Sequence, residues 1–154
     1  MAFDIFLKLT DGLGVLIKGE SSAKGHQNEI EVLSFSWGQS RDGGVADPQE
    51  MAFVTPVSIA SPTIAKLCAD GTLVSTAEIS VVRAGGEGTP IFIKIRDLAV
   101  GSYQLGAAGT DPGLTDRFTL SFRTMGLTTR QQNPATGATG TEVTAVLDFS
   151  RPEA

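Results

Sequence analysis

The stretch Glu29-Ile30-Glu31-Val32-Leu33-Ser34-Phe35-Ser36-Trp37-Gly38 alternates apolar and polar residues, but it changes phase midway. Up to Val32 the apolar residues are even-numbered, Ile30 and Val32, with Glu29 and Glu31 between them. From Leu33 onward they are odd-numbered, Leu33, Phe35 and Trp37, with Ser34, Ser36 and Gly38 between. Strand side chains have a period of two, so a strand cannot absorb this swap and keep one face buried. Either a bulge re-aims the side chains, or the strand leaves one sheet and enters another with the opposite face inward. Both belong to small barrels and bent sandwiches. The stretch ends in Trp-Gly with no functional side chain at a loop, so its role reads as architectural.

The rest of the chain fits that frame. At 154 residues it suits one domain over 1–154, large enough to bury a core without disulfides. Charged residues are 19%, below the roughly 25% of ordinary soluble proteins, and glycine is abundant at 18 residues. Few charges with many turns suit an all-β protein whose surface is partly reserved for other subunits. The net charge of −5, with 12 scattered Lys and Arg, argues against nucleic acid as partner. The single cysteine, Cys68, cannot form an intramolecular disulfide and points to a reducing compartment. The N-terminus lacks a basic region followed by an apolar stretch, which Asp4 and Lys8 interrupt, and no apolar run approaches a membrane span. The expectation is a leaderless cytosolic product with no membrane insertion, which needs a dedicated machine to reach the outside.

In order, the pattern predicts a strand over 2–9 (Phe3, Ile5, Leu7 and Leu9 inward, with Phe6 the exception), a turn over 10–14 and a short strand over 15–17. After the central stretch, Gln39 to Glu50 is polar, glycine-broken and without periodicity, hence a long loop. Met51 to Ile59 is a strand with Met51, Phe53, Val57 and Ile59 on one side, and Pro56 at an edge or bulge. Ser61 to Gly71 is the one helix, with Ser61 as N-cap, Pro62 in its first turn, Gly71 ending it, and Ile64, Leu67 and Cys68 as its apolar stripe. Further strands hold Leu73, Ala77, Ile79 and Val81; Ile91, Ile93 and Ile95; residues 99–105; Phe118, Leu120 and Phe122; and Val143, Ala145, Leu147 and Phe149. Loops lie at Gly85 to Gly88, Gly106 to Leu114 and Gln131 to Gly140. With no βαβ alternation, the expected fold is all-β with one short helix: an antiparallel β-barrel or tight β-sandwich of about eight strands.

Little in the chain suggests chemistry. His26 and Cys68 are the only residues of their types and cannot make a familiar zinc set. There is no Gly-x-Ser-x-Gly elbow, and Gly19 to Gly25 does not match a phosphate loop. No catalytic residue, cofactor or metal is expected.

Met1 to Lys8, Lys18-Gly19-Glu20-Ser21, His26, Glu29 to Gly38, Val82-Arg83-Ala84-Gly85-Gly86 and Asp97 to Tyr103 together resemble the haemolysin-coregulated protein (Hcp) family, the inner-tube proteins of type VI secretion in Gram-negative bacteria. The resemblance runs in order through nearly the whole chain. It implies a homohexameric ring stacked into a secreted tube, with a VgrG-type spike protein at its tip, sheath proteins around it and effector proteins carried in the lumen. It also implies that the loop bearing Ser40, Arg41, Asp42, Gly43, Gly44, Asp47 and Pro48 reaches toward the neighbouring ring, and that Gly19, Glu20 and His26 form a structural turn. On such a ring the small neutral Ser34 and Ser36 are the candidates for the lumen. The chain departs from the family after Gly71, where a basic residue and a histidine are often found, and near Phe149, where many relatives have tryptophan. A phage-tail or extracellular injection tube shares the expected architecture. A carbohydrate-binding sandwich is disfavoured by the single Trp and single Tyr.

Overall fold

A computed structural model describes residues 3–84, 88–132 and 139–149. The centres of the expected loops at Gly85 to Gly88 and Gln131 to Gly140 lie outside the described residues, as do Met1 and Ala2. In chain order the elements are β1 (Phe3–Asp11), β2 (Leu16–Ile17), β3 (Ile30–Val32), β4 (Ser34–Ser36), β5 (Gln39–Asp42), β6 (Val45–Pro48), β7 (Met51–Pro56), α1 (Ser61–Asp70), β8 (Val74–Arg83), β9 (Ile91–Gly106), β10 (Thr115–Ser121), β11 (Thr124–Gln132) and β12 (Thr139–Asp148).

All pairings are antiparallel. β1 lies between β8 on one edge and β2 and β3 on the other, and β8 pairs β9. From β9 the ladder runs on through β10 and β7 to β4. Because β3 and β4 are consecutive, this circuit closes into a barrel. The phase swap is where it closes. Ile30 and Val32 are buried opposite Leu7 and Ile5 of β1, whereas Phe35 pairs Phe53 of β7. Leu33 is the joint, and its N–H already bonds to Val54 O at 2.8 Å. Leu33 itself is 57% exposed, not buried as its phase suggests, because the side chain at the crossing belongs to neither face.

A second strand makes the same crossing. The expected separate strands over 91–96 and 99–105 are one strand, β9, which pairs β8 and β11 up to Leu98 and β10 from Ala99 on. The turn falls at Asp97, whose φ is +54°, a left-handed conformation that carboxylate and amide residues tolerate better than most. Beside it, the β1–β8 register shifts between Thr10 and Asp11. Ser75 is the extra residue, and its hydroxyl donates to the carbonyls of Thr10 (3.0 Å) and Asp11 (2.8 Å). The bulge hands the buried position to Val74 and leaves Leu73, the expected core residue, 65% exposed.

The core is one cluster that includes Leu7, Leu9, Phe53, Ile79, Ile95, Phe118, Leu120 and Met125. Phe53 stacks on Phe118 at 5.2 Å and on Phe35 at 6.3 Å, while Trp37 packs on Phe122 and Phe149. Helix α1 packs against β9, with Ile64 buried and Leu67 and Cys68 half-buried. Gly71 ends it at φ +68°, its N–H bonded to Leu67 O. The N-cap is Ala60, not Ser61. The Ser61 hydroxyl is used one turn back, accepting from Ser58 N at 3.0 Å.

Three other expectations change. The polar segment 39–50 is a two-stranded ribbon, β5–β6, turning through Gly43 and Gly44 at positive φ. Ile59 is exposed because the strand stops at Pro56. Downstream of Phe122, the unanticipated strand β11 joins β9 to β12, and most of β12 extends beyond the core: Val143 and Val146 are exposed on opposite faces.

Candidate functional site

The strands β4, β7, β10 and the second half of β9 bury one face, carrying Phe35, Phe53, Phe118 and Tyr103, and leave the other open. Register assigns that open face to two rows. One runs Ser34, Val54, Arg117, Gln104; the next runs Ser36, Ala52, Thr119, Ser102. Ser34 and Ser36 are both exposed on it, as are Ser102, Gln104 and Arg117, while Ala52, Val54 and Thr119 are half-buried; sequence reasoning singled out none of these six. The face is slightly hollow, with a depression of about 490 Å³ bounded by these rows. The Ser102 and Thr119 hydroxyls lie 2.9 Å apart, and Thr119 also reaches the Glu50 carboxylate at 3.4 Å. A Cβ at Gly101 would collide with that carboxylate, so glycine here lets Glu50 lie across the strand.

Beneath the face, Asp116 is buried and accepts hydrogen bonds from the Thr55 hydroxyl and from Tyr103 Oη at 2.8 Å. Burial, and then the Asp116 carboxylate, push the Tyr103 phenol above its usual value. Nothing in the sequence links Thr55 to Asp116 except the finished ladder that sets them side by side.

The residues Gly19, Glu20 and His26 lie on one hydrogen-bonded stretch between β2 and β3. Gly19 N donates to Asn28 O (2.8 Å), Asn28 N to Ser21 O (2.8 Å) and Ser21 N to Glu29 O (3.0 Å). A Cβ at Gly19 would stand 2.5 Å from Glu29 O and 2.7 Å from Ile30 Cα. The His26 ring stacks on Phe6 at 4.4 Å, and its Nδ1 lies 3.0 Å from Glu29 Oε1. That stack also accounts for Phe6, the apolar residue on the polar side of β1. Glu20 accepts from Ile59 N at 2.8 Å, tying the turn to the entrance of α1.

Ser40, Arg41, Asp42, Gly43, Gly44, Asp47 and Pro48 lie on the β5–β6 ribbon and its turn, where the Arg41 guanidinium donates to Gly44 O at 2.8 Å. Among the described residues no group of three or more His, Cys, Asp or Glu converges on a metal-sized site. No helix among them is long and apolar enough to cross a membrane.

Comparison with known proteins agrees with this geometry. A family model described as "Type VI secretion system effector, Hcp" matches residues 6–128. The protein hcp1 of Pseudomonas aeruginosa strain PAO1 is 31% identical over 134 residues, covering 79% of this chain and 80% of its own. Among solved structures, one described as a type six secretion system protein superposes with a TM-score of 0.84 at 25% identity, over 96% of both chains. Hcp1 from Salmonella typhimurium gives 0.80 at 29% identity, over 97% of this chain and 96% of its own.

Proposed function

The chain belongs to the Hcp family and is a type VI secretion tube protein, and from that premise we propose that it acts as one unit, six copies of which close into a ring with the open face of β4, β7, β10 and β9 turned to the hole. The observation that carries this reading is the face itself: an ordered four-strand surface of small, mostly neutral side chains backed by packed aromatics. Its two bounding edges are unlike. β4 is short, whereas the Ala99–Gly106 part of β9 is longer, and among the described residues neither has a ladder partner on its outer edge. A ring needs that kind of heterologous match, one edge of a subunit fitting the different edge of the next. The arm β11–β12, with Val143 and Val146 exposed, supplies apolar surface for a neighbour to cover.

In this reading the β5–β6 ribbon bridges stacked rings. The tube leaves the cell through the type VI machine, with a spike protein ahead of it and a sheath around it, and effector proteins ride in the lumen against Ser34 and Ser36. The sugar-binding alternative is further weakened by the placement of Trp37 and Tyr103, both packed inward and neither offered as a stacking platform. Light scattering coupled to gel filtration tests the assembly: six times the 16.1 kDa chain mass is expected, with annular particles by negative stain. A monomer at every concentration overturns the reading.

A further inference from the structure

We infer that the open face selects its cargo by charge, and that Arg117 is the residue that takes it: a cation belt for an acidic segment of a carried protein. This rests on the lumen reading above and extends it.

Arg117 is the only basic residue in the two rows of that face. It is exposed, and no side-chain hydrogen bond or ion pair joins its guanidinium to another described residue. The carboxylate on the same side, Glu50, makes no ion pair with Arg117. Its carboxylate rests two residues along β10 from Arg117, about 7 Å at ~3.3 Å per residue. Glu50 is also engaged by Thr119. The guanidinium is thus left without a direct ion-pair partner among the described residues, on a chain whose net charge of −5 repels acidic partners elsewhere.

Its surroundings suit a carboxylate. Gln104 stands directly beside it in register, and both residues border two adjoining depressions, of about 490 and 600 Å³. Arg offers a planar fork that matches a carboxylate in two bonds. One exposed ion pair is weak, but a ring repeats the guanidinium at every subunit, so a flexible acidic segment meets several at high effective concentration.

The test uses assembled rings and three fluorescent probes: a ten-residue glutamate peptide, a ten-residue lysine peptide and a ten-nucleotide thymidine strand. Binding is read by anisotropy at low salt and again near physiological salt, with ring mass checked in parallel. The glutamate peptide should bind wild-type rings about tenfold better than the lysine peptide, and salt should weaken it. Arg117→Gln should remove that preference, Arg117→Lys should keep most of it, and Arg117→Glu should reverse it. Gln104→Glu, which sets a carboxylate beside an intact Arg117, should match Arg117→Gln. Rings that form normally and bind the glutamate peptide equally well without Arg117 overturn the charge selection and leave the tube intact. Tighter binding of the thymidine strand than of the glutamate peptide overturns a protein cargo in favour of nucleic acid. Failure of wild-type protein to form rings overturns the lumen reading on which this one stands.

Discussion

Replacing Gly19 by alanine should destabilise the protein through backbone, and a single methyl group is enough to show it. The added Cβ would meet Glu29 O at 2.5 Å, Glu29 C at 2.7 Å and Ile30 Cα at 2.7 Å. All three are main-chain atoms at the entrance to β3, held by the Gly19–Asn28 and Ser21–Glu29 hydrogen bonds, so no rotamer change relieves the contact. The two strands of the turn must part by most of an ångström, which stretches those bonds and shifts Ile30 from its place opposite Leu7. Overpacking of this kind costs about 1–3 kcal/mol, and alanine recovers about 0.4–1 kcal/mol by restricting the unfolded chain. A net loss of about 1–2 kcal/mol lowers Tm by about 2–8 °C in a chain of this size. Gly109 is the internal control: nothing lies within 4 Å of its would-be Cβ and its φ is not left-handed, so Gly109→Ala should hold or raise Tm. Both variants are compared with wild type by differential scanning calorimetry at one protein concentration, because assembly stabilises the folded chain by mass action. A Gly19→Ala protein that melts with wild type would refute the close packing of this turn.

Tyr103 is the only tyrosine, so absorbance at 295 nm follows its ionisation alone. The midpoint should lie above 10.0, and Asp116→Asn should lower it without abolishing the shift, since burial is the larger cause. Because the folded phenol then holds its proton more tightly than the unfolded one, its contribution to stability is complete below pH ~10 and is lost as pH rises through the folded value; a midpoint at or below 10 would contradict the buried pairing. Ser36→Trp should leave rings intact while reducing the effector protein that co-purifies with them, and unchanged cargo would remove Ser36 from the lumen. Deleting the β5–β6 ribbon and rejoining Gly38 to Gln49, whose N–H already bonds to Gly38 O at 2.9 Å, should preserve the ring mass but stop secretion; normal secretion would count against ring stacking through this ribbon. Phe118→Ala, which hollows the stack on Phe53, should cost about 3–5 kcal/mol, read as a shift of the urea midpoint.

What the sequence determined is what burial writes into local pattern. The phase swap between Val32 and Leu33 announced either a bulge or a strand shared by two sheets, and the structure holds the second, the two halves burying opposite faces. Phe118 and Leu120 alternate with Arg117 and Thr119 because β10 has one dry face and one open one, and Pro62 and Gly71 bracket α1 by their own backbone limits. The family resemblance, carried by the same stretches, held for the same reason.

Tertiary structure decided the rest, wherever a residue's environment comes from a distant strand. The β5–β6 ribbon touches too little core to impose a period on 39–50, so its hydrogen bonds left no hydrophobic trace. Val143 falls in an alternating apolar row and is exposed all the same, as is Val146 on the other face, since most of β12 extends past the barrel. Leu73 lost its buried place to Val74 through a bulge that Ser75 secures by bonding to β1, 64 residues away. The open face itself is a product of register: Ser34, Val54, Arg117 and Gln104 become neighbours only when four strands are aligned. No local pattern encodes that alignment, because it is set by which side chains pack on the far side of the sheet.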